Sequence, residues 1–225
     1  MPDGNGAGAE ERFLCEHCRP LLKRRNGGHC PYCGEIFAFE DAPCVPCASC
    51  LQKLPLWADF MFYGVHEGLL RDLIVRAKFG GSLSILNFLG SLLAELCARH
   101  YAVSPGPDAV LPLPLHSSRL RARGFSQCAE MARQVARAVD APLQCGLLEK
   151  KCATQPQAGL DREERKKLPQ VFRVSGDAGG MHVLIVDDVC TTGTTLARAA
   201  ECLASAGAAR VDVAVLARTP LHGQE

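Results

Sequence analysis

Residues 183–195 read Val-Leu-Ile-Val-Asp-Asp-Val-Cys-Thr-Thr-Gly-Thr-Thr, and this stretch decides the fold of the chain. Its first four residues form a continuous apolar run, mainly β-branched, which predicts a strand covered on both faces in a parallel sheet. Asp187 and Asp188 come next, at the carboxyl end of that strand, where open α/β sheets place their ligands. We therefore expect a ligand site directly after this strand.

The residues that follow the two carboxylates are small, and most of them carry hydroxyl groups. The start of a helix favours an anion, because unpaired N–H groups and the helix dipole place partial positive charge there. Gly193 permits the backbone conformation and the close approach that a phosphate cradle needs. The sequence therefore predicts a phosphate-binding loop made of Thr191, Thr192, Gly193, Thr194 and Thr195.

Carboxylates beside a phosphate loop would repel a ligand that offered only phosphate. They suit a ligand with a phosphate and vicinal hydroxyls, because carboxylates accept hydrogen bonds from hydroxyls and bind Mg²⁺. A ribose 5-phosphate has these groups. A P-loop nucleotidase is excluded, since the chain contains no Gly-x-x-x-x-Gly-Lys-Ser/Thr. The simpler alternative is a strand end followed by an ordinary helix cap, where Asp and Thr are also common.

The same stretch resembles the motif with which type I phosphoribosyltransferases bind 5-phosphoribosyl 1-pyrophosphate (PRPP). The resemblance implies that Asp187 and Asp188 are catalytic residues facing the ribose 2′- and 3′-hydroxyls, and that residues 191–195 hold the 5′-phosphate. It also implies Mg²⁺ as the cofactor bound with PRPP, and a nitrogenous base or an amine as the acceptor.

The composition is that of one domain of ordinary size with a small appendage: 225 residues, 48% hydrophobic and 22% charged, with a formal net charge of +1. This charge gives no general case for nucleic acid, so such a case depends on local basic patches. No apolar segment is long enough to cross a bilayer, and the first residues lack the basic-then-apolar order of a signal peptide. We expect a cytoplasmic protein without membrane insertion.

The cysteines are concentrated near the amino terminus. Pairs of thiolates separated by two residues converge on one tetrahedral ion, and two such pairs complete a structural Zn²⁺ site. The preferred ribbon contains Cys30, Cys33, Cys47 and Cys50, which leaves Cys15 and Cys18 as half of a second one. The other arrangement joins Cys15 and Cys18 to Cys30 and Cys33, with Cys44, His17 and His29 as spare candidates. A metal-held module is thus expected at residues 13–54, between a disordered tail at 1–12 and the main domain at 55–225.

Strands and helices alternate through the main domain. Helical spacing predicts an amphipathic helix over residues 67–78, with Arg71, Arg76 and Lys78 outward on a solvated face, and a second apolar helix over 82–100. A short apolar strand at 108–114, a helix at about 129–139 and a strand at 211–216 follow. This order indicates an α/β fold in which helices flank a parallel sheet.

A basic turn separates the strand at 108–114 from the next helix. Transfer from PRPP releases pyrophosphate, whose charge arginines from a neighbouring strand end can balance. We predict that the pyrophosphate contacts are His116, Arg119, Arg121 and Arg123. A basic helix start without a ligand, or contact of the same arginines with nucleic acid, are the alternatives.

Residues 149–170 are polar and charged between two apolar segments. A long polar loop inside a compact domain is usually a lid or disordered, and a lid would exclude water from a cation-like intermediate. The predicted ligand contacts of this lid are Lys150, Lys151, Gln157 and Arg165.

Three motifs together with the cysteine module resemble the ComF family. They are Arg-x-Arg-Gly-Phe-Ser-Gln at 121–127, Thr-Gln-Pro-Gln-Ala-Gly-Leu at 154–160, and the stretch at 187–195. ComF proteins are bacterial proteins with a double zinc ribbon and a type I phosphoribosyltransferase domain, linked to competence and DNA uptake. This chain departs from the family in having Ser126 and Leu168 where Asn is usual, and in lacking a Cys-x-x-Cys before Cys15.

Three functional hypotheses follow. The first is a PRPP-binding protein that transfers the phosphoribosyl group to a nitrogen nucleophile. The second is a competence-related protein that handles single-stranded DNA, in which PRPP binding is regulatory or vestigial. The third is a PRPP sensor that controls a partner.

Overall fold

The computed structural model describes residues 13–80, 82–114, 126–150 and 171–220. The tail predicted at residues 1–12 lies outside the described residues. In chain order the elements are a 3₁₀ turn (Arg19–Leu21), α1 (Ala48–Gln52), β1 (Phe60–Val65), α2 (Gly68–Gly80), α3 (Leu83–Tyr101), β2 (Ala109–Pro112), α4 (Gln127–Ala138), β3 (Leu148–Lys150), β4 (Phe172–Val174), β5 (His182–Cys190), α5 (Thr194–Ser205) and β6 (Arg210–Arg218). Among these helices, none combines the length and the apolar character that a membrane span requires.

The main sheet of the described chain has four parallel strands in the order β1-β6-β5-β2. β5 lies inside the sheet, where its residue Val183 is opposite Ala109 of β2 and opposite Val211 of β6. Residues 183–186 are all fully buried. This burial explains why both faces of the strand are apolar, and the predicted α/β fold with a parallel sheet is confirmed.

Helices cover both faces of this sheet. Alternate residues of β5 point to opposite faces, so Leu184 and Val186 pack in one apolar cluster with residues of α2, α3 and α4. Val183 and Ile185 pack in a second cluster with α5 and with β3 and β4, which form an antiparallel pair of their own. The sheet therefore separates two cores and holds its strand ends in a fixed frame.

Both edges of the sheet are covered by other parts of the chain. On the β1 side, the backbone N–H of Arg25 donates to the carbonyl of Tyr63 at 2.9 Å. On the β2 side, Val110 donates to the carbonyl of Pro142 and accepts from the N–H of Gln144, each at 2.9 Å. These bonds occupy polar backbone groups that an uncovered edge strand would present to another chain.

The amino-terminal residues pack closely on the sheet and on α3. Phe13 stacks on Phe88 with ring centroids 4.3 Å apart. Gly34 has φ +69°, and a Cβ built there would lie 2.4 Å from Cε1 of Phe60. Only glycine fits this position, because a side chain would meet both the left-handed backbone and the Phe60 ring.

Two predicted boundaries are wrong. β5 does not end at the acidic pair but continues to Cys190, because β6 stays apolar and pairs with it up to Arg218. The polar loop expected from residue 149 begins later, since Glu149 and Lys150 lie in β3, with Glu149 opposite Arg173 of β4.

Candidate functional site

The acidic pair lies near the carboxyl end of β5, within the sheet. Asp187 is opposite Val215 of β6, and three residues remain in the strand after it. Both aspartates are half-buried. The strand ladder fixes their backbone, so the carboxylates are held at the edge of the sheet where β1, β5 and β6 all end.

The hydroxyl-rich loop connects β5 to α5. Gly193 is the N-cap of α5 and has φ +74°, a left-handed conformation that glycine adopts without strain. The hydroxyl of Thr194 lies 2.9 Å from that of Thr192, and the four threonines of the loop are exposed. The loop thus presents hydroxyls and helix-start N–H groups to solvent, next to the carboxylates, as a phosphate cradle requires.

Asp187 has an unusual electrostatic setting. Burial and the neighbouring charge of Asp188 raise the pKa of Asp187 to about 7. Its Oδ1 accepts hydrogen bonds from the thiol of Cys128 at 3.1 Å and from the backbone N–H of Asp188 at 2.9 Å. Near neutral pH this carboxyl can therefore hold or release a proton.

Asp188 has a cationic partner that the sequence pattern did not predict. The Nζ of Lys78, near the end of α2, lies 2.9 Å from its Oδ1, and both side chains are largely buried. The expectation that Lys78 faces outward on a solvated helix is wrong, because α2 ends beside the carboxyl edge of the sheet. The site therefore contains one positive side chain, Lys78, beside the two acidic side chains of Asp187 and Asp188.

His66 lies at the same edge, directly after β1. Its backbone N–H donates to the carbonyl of Arg218 at 2.9 Å. Burial first, and then the charges of Lys78 and Arg71, lower the pKa of its imidazole. His66 is therefore a neutral base near the acidic pair at physiological pH.

These side chains suit a hard divalent cation. The Sγ of Cys128 and one carboxylate oxygen each of Asp187 and Asp188 lie within 4.8 Å of one another. Mg²⁺ takes oxygen ligands, directly or through water, so the two carboxylates fit it. Burial raises the pKa of Cys128 well above its ordinary value, so its thiol stays protonated and donates to Asp187.

The sulfur atoms of Cys30, Cys33, Cys47 and Cys50 form a second cluster, within 4.8 Å of one another. Four thiols at this separation match the ligand set of a structural zinc ribbon. The structure thus brings together the preferred of the two predicted arrangements. Cys15 and Cys18 lie outside this cluster, and so does Cys44, whose Sγ is 3.5 Å from Nδ1 of His29.

Comparisons with known proteins agree with both parts of the chain. The model of the phosphoribosyl transferase domain family matches residues 126–224. The chain is 34% identical to the DNA utilization protein YhgH of Salmonella typhi over 92% of its own length and 90% of that protein. It is 30% identical to competence protein F of Haemophilus influenzae over 92% and 97% of the two chains. The chain belongs to the ComF family.

The fold of this ComF-family protein is that of a type I phosphoribosyltransferase with a small cysteine module. A solved purine phosphoribosyltransferase from Pyrococcus horikoshii is 20% identical over 74% of this chain and 83% of its own, with a TM-score of 0.38. That superposition is weak, so the fold is assigned from the matched domain and from the strand order.

Several predicted site residues of the ComF-family protein lie outside the described residues. They are the basic turn and most of the lid: His116, Arg119, Arg121, Arg123, Lys151, Gln157 and Arg165. Lys150 is described, and its Nζ lies 5.9 Å from the centroid of the Phe172 ring. The aspartates and the threonine loop are brought together as predicted.

Three residues at the acidic edge were missed in the sequence: Lys78, Cys128 and His66. Lys78 lies near the end of α2, and Cys128 lies at the start of α4. Both of these helix ends lie at the same edge of the sheet. The order of strands and helices did carry a signal for these positions. In a fold of parallel strands, the turns from strand to helix lie at one edge of the sheet and the turns from helix to strand lie at the other. The periodicity of α2 alone could not show which of its outward cations meets an acid.

Proposed function

We propose that this protein binds PRPP with Mg²⁺ at the carboxyl edge of its sheet and transfers the phosphoribosyl group to a nitrogen nucleophile. The observation that carries the proposal is the joint placement of two carboxylates and a hydroxyl-rich helix start. Asp187 and Asp188 are separated from Gly193, the left-handed N-cap of α5, by only four residues. One ligand with a phosphate and vicinal hydroxyls satisfies both groups.

In this proposal the loop at residues 191–195 holds the 5′-phosphate. Its threonine hydroxyls are exposed, and the N–H groups of the first turn of α5 have no intrahelical acceptor. An anion at that position gains hydrogen bonds and the favourable end of the helix dipole. The loop therefore orients the sugar relative to the acids.

The two aspartates then act on the ribose. As carboxylates they accept hydrogen bonds from its hydroxyls, and they favour the positive charge that develops on the sugar as the bond to pyrophosphate breaks. Bound Mg²⁺ would supply charge compensation for the pyrophosphate, and Asp187 and Asp188 are the residues that would hold it, directly or through water. Lys78 neutralises Asp188 before the ligand arrives. The contacts of pyrophosphate with the basic turn, and of the lid with the ligand, stay predictions from the sequence.

Calorimetry with PRPP and Mg²⁺ tests the site. We expect the Asp187→Asn, Asp188→Asn double variant to lose about 100-fold or more in affinity, because each hydrogen bond to a charged group contributes about 1.5–3 kcal/mol. Asp108→Asn is the matched control, since Asp108 accepts from the N–H of His182 at the opposite edge of the sheet. Unchanged affinity in the double variant would show that PRPP does not bind here.

Product analysis separates an enzyme from a sensor. Incubation of the zinc-loaded protein with PRPP, Mg²⁺ and a series of nitrogenous bases or amines should release pyrophosphate with one of them. Tight PRPP binding without pyrophosphate release from any acceptor would favour the sensor. The cytoplasmic location expected from the sequence agrees with PRPP as a ligand, because PRPP is an intracellular metabolite.

A second candidate function is the handling of single-stranded DNA. Two observations favour it: relatives are named for DNA utilization and competence, and a cleft of about 200 Å³, lined by three cationic residues and by Glu40 and Glu67, lies between the amino-terminal residues and β1. Lys23 and Arg24 line this cleft, whereas Arg25 donates to the carbonyls of Gly27 and Gly28. Lys23 and Arg24 can contact the phosphates of a nucleic acid, although Glu40 and Glu67 in the same lining reduce the positive charge of the cleft.

Fluorescence anisotropy with labelled single-stranded DNA tests this candidate. We expect binding that weakens as salt rises and a Lys23→Gln, Arg24→Gln double variant with a shallower salt dependence. Binding of equal strength and equal salt dependence in both proteins would exclude the cleft as the DNA site.

A further inference from the structure

Arg218 connects the phosphate loop to the segment at residues 30–35, which contains Cys30 and Cys33 and is called the knuckle below. It is the last residue of β6, and its side chain is almost completely buried. On one side its Nε donates to the carbonyl of Cys33 at 3.1 Å, and its Nη2 lies 3.2 Å from Oε2 of Glu35. On the other side its Nη1 donates to the carbonyl of Cys190 at 3.2 Å and to that of Thr191.

Trp57 makes a second connection between the same two parts. Its Nε1 donates to the carbonyl of Tyr32, inside the knuckle, at 2.6 Å. A Cβ built at Gly193 would lie 3.6 Å from Cη2 of the indole, which is van der Waals distance. The ring is buried, so it packs between the knuckle and the glycine on which the loop turns.

The contacts of Arg218 and Trp57 can form only while the knuckle keeps its structure. Residues 30–35 contain two thiols of the four-cysteine cluster and offer the carbonyls that Arg218 and Trp57 bind. A bound ion fixes a short backbone segment that is otherwise too small to hold its own shape. A buried guanidinium keeps its position only while its acceptors stay in place, because an unpaired buried charge is strongly unfavourable.

We propose that Arg218 and Trp57 are positioning residues through which the metal-bound knuckle holds the phosphate loop in its binding geometry. Affinity for the sugar phosphate then depends on zinc, although the four sulfurs do not touch the ligand. The inference rests on the proposed zinc site and, for its effect on affinity, on the proposed PRPP function. Loss of zinc, or oxidation of the knuckle thiols, weakens phosphate binding by loosening residues 190–193.

Hydrogen exchange measures this coupling without any ligand. The amides of Ala197 and Thr219 donate to the carbonyls of Gly193 and Cys190, each within 3.0 Å, so they report on the loop. We expect removal of zinc from the full-length protein to speed their exchange at least about tenfold, while Ile185 in the centre of β5 changes little. Equal exchange with and without zinc, or the same acceleration at Ile185, would overturn the proposal.

Variants separate the two connections from general stability. In Arg218→Lys, and in Glu35→Gln, which keeps the shape of its side chain, the loop amides should exchange fast with zinc bound and respond less than about twofold to its removal. Trp57→Phe keeps the ring and loses the donor, so we expect an intermediate response. Arg210→Lys, at the other end of β6, is the matched control and should keep the full zinc response. A full response in Arg218→Lys and Glu35→Gln would contradict the assignment.

Measurement of PRPP affinity with and without zinc tests the effect of this coupling on ligand binding. The zinc-loaded protein should bind PRPP and Mg²⁺ at least about tenfold more tightly than the zinc-free protein, and fluorescence of Trp57, the single tryptophan of the chain, should change on zinc removal. If the zinc-loaded protein does not bind PRPP, the proposed function fails, whereas the exchange experiment still decides the coupling. If PRPP binds equally well with and without zinc, the coupling fails and the proposed function stands.

Discussion

The parallel sheet carries one aspartate near each end, and the two differ in their hydrogen-bond partners. They are Asp212 at the amino end and Asp187 at the carboxyl end. At the amino end, Asp212 is fully buried and receives hydrogen bonds from the N–H of Asp59, the guanidinium of Arg210 and the hydroxyl of Tyr101, with Nε2 of His182 2.7 Å away. Burial and the charge of Asp212 raise the pKa of Tyr101, so the phenol stays protonated as a donor. Every lone pair region of this carboxylate is occupied by the protein itself.

At the carboxyl end, Asp187 has only a thiol and one backbone N–H as donors within the described chain. Its neighbour Asp188 adds negative charge, and Lys78 is the cation that balances it. The pKa of Asp187 is raised to about 7 as a result of burial and of this neighbour. Among residues 13–80, 82–114, 126–150 and 171–220, the partners of Asp187 therefore leave hydrogen-bonding capacity on its carboxyl group.

We infer from this difference that Asp212 stabilises the fold, whereas Asp187 is available to a ligand. A completed network stabilises the strands that it joins, whereas an incomplete one stores unfavourable energy that a ligand can relieve. Asp212 and Asp187, at opposite ends of one sheet, should therefore respond to substitution with opposite signs.

The largest effect is expected for Asp212→Ala. The change leaves the Nε of Arg210, the Tyr101 hydroxyl and the Asp59 N–H without their acceptor, while Nη2 of Arg210 keeps its bond to Asp59. We therefore expect a loss of about 3–5 kcal/mol in the free energy of unfolding. Urea denaturation of the zinc-loaded protein measures it. Asp212→Asn, which keeps the shape and one acceptor oxygen, should lose less. A loss below about 1 kcal/mol for Asp212→Ala would mean that the two ends do not differ.

A smaller effect of opposite sign is expected for Asp187→Asn. Because the pKa of Asp187 is raised in the folded protein, the folded state holds this proton between about pH 4 and pH 7 while the unfolded state releases it. The free energy of unfolding therefore falls as pH rises through that window. The variant lacks this decrease, so at pH 8 it should be about 1–2 kcal/mol more stable than the wild type, an amount reduced for the partial exposure of the carboxyl.

Denaturation at pH 4 and pH 8, in both proteins, measures this effect. The stability difference should be smallest at pH 4 and should reach its full size by pH 8. A difference of the same size at both pH values would show that Asp187 does not titrate in this range.

The smallest effect is expected for Lys78→Met, which removes the cation and keeps the aliphatic stem. Stability should fall by about 1 kcal/mol, because the pair is more buried than a surface ion pair but is not fully enclosed. The pKa of Asp187 should rise further above 7, because the charge of Lys78 lowers it. NMR titration of the aspartate carboxyl carbons measures the midpoint, and Arg76→Met, on the exposed side of α2, is the control. An unchanged midpoint would remove Lys78 from the site.

The sequence was sufficient for the sheet and for the backbone of the site. Four apolar residues before two acids, and a glycine among hydroxyls, correctly predicted a buried parallel strand followed by a helix start. These features are local, since they depend on residues adjacent in the chain. The four-cysteine cluster was also predictable, because its spacing within two short motifs limits the geometry.

The missing parts depend on contacts between distant residues. Lys78 and Asp188 are 110 residues apart, and Arg218 and Glu35 are 183 apart. Arg71, Arg76 and Lys78 look alike in a helical pattern, and only the position where α2 ends selects Lys78. In the sequence Arg218 is only the polar end of an apolar strand, whereas in the structure it is buried between residues 33–35 and residues 190–191.

The bond from Arg25 to the carbonyl of Tyr63 affects how the molecule can be divided. It protects the open side of β1, the outermost strand, so the segment before residue 55 covers this edge and also carries the four-cysteine cluster. A chain cut at that point would expose an apolar strand edge and leave the Arg218 charge without Glu35. Such a fragment should self-associate through that edge. We therefore expect that the sheet is not stable as a separate fragment, and that the amino-terminal segment keeps it monomeric by covering this edge.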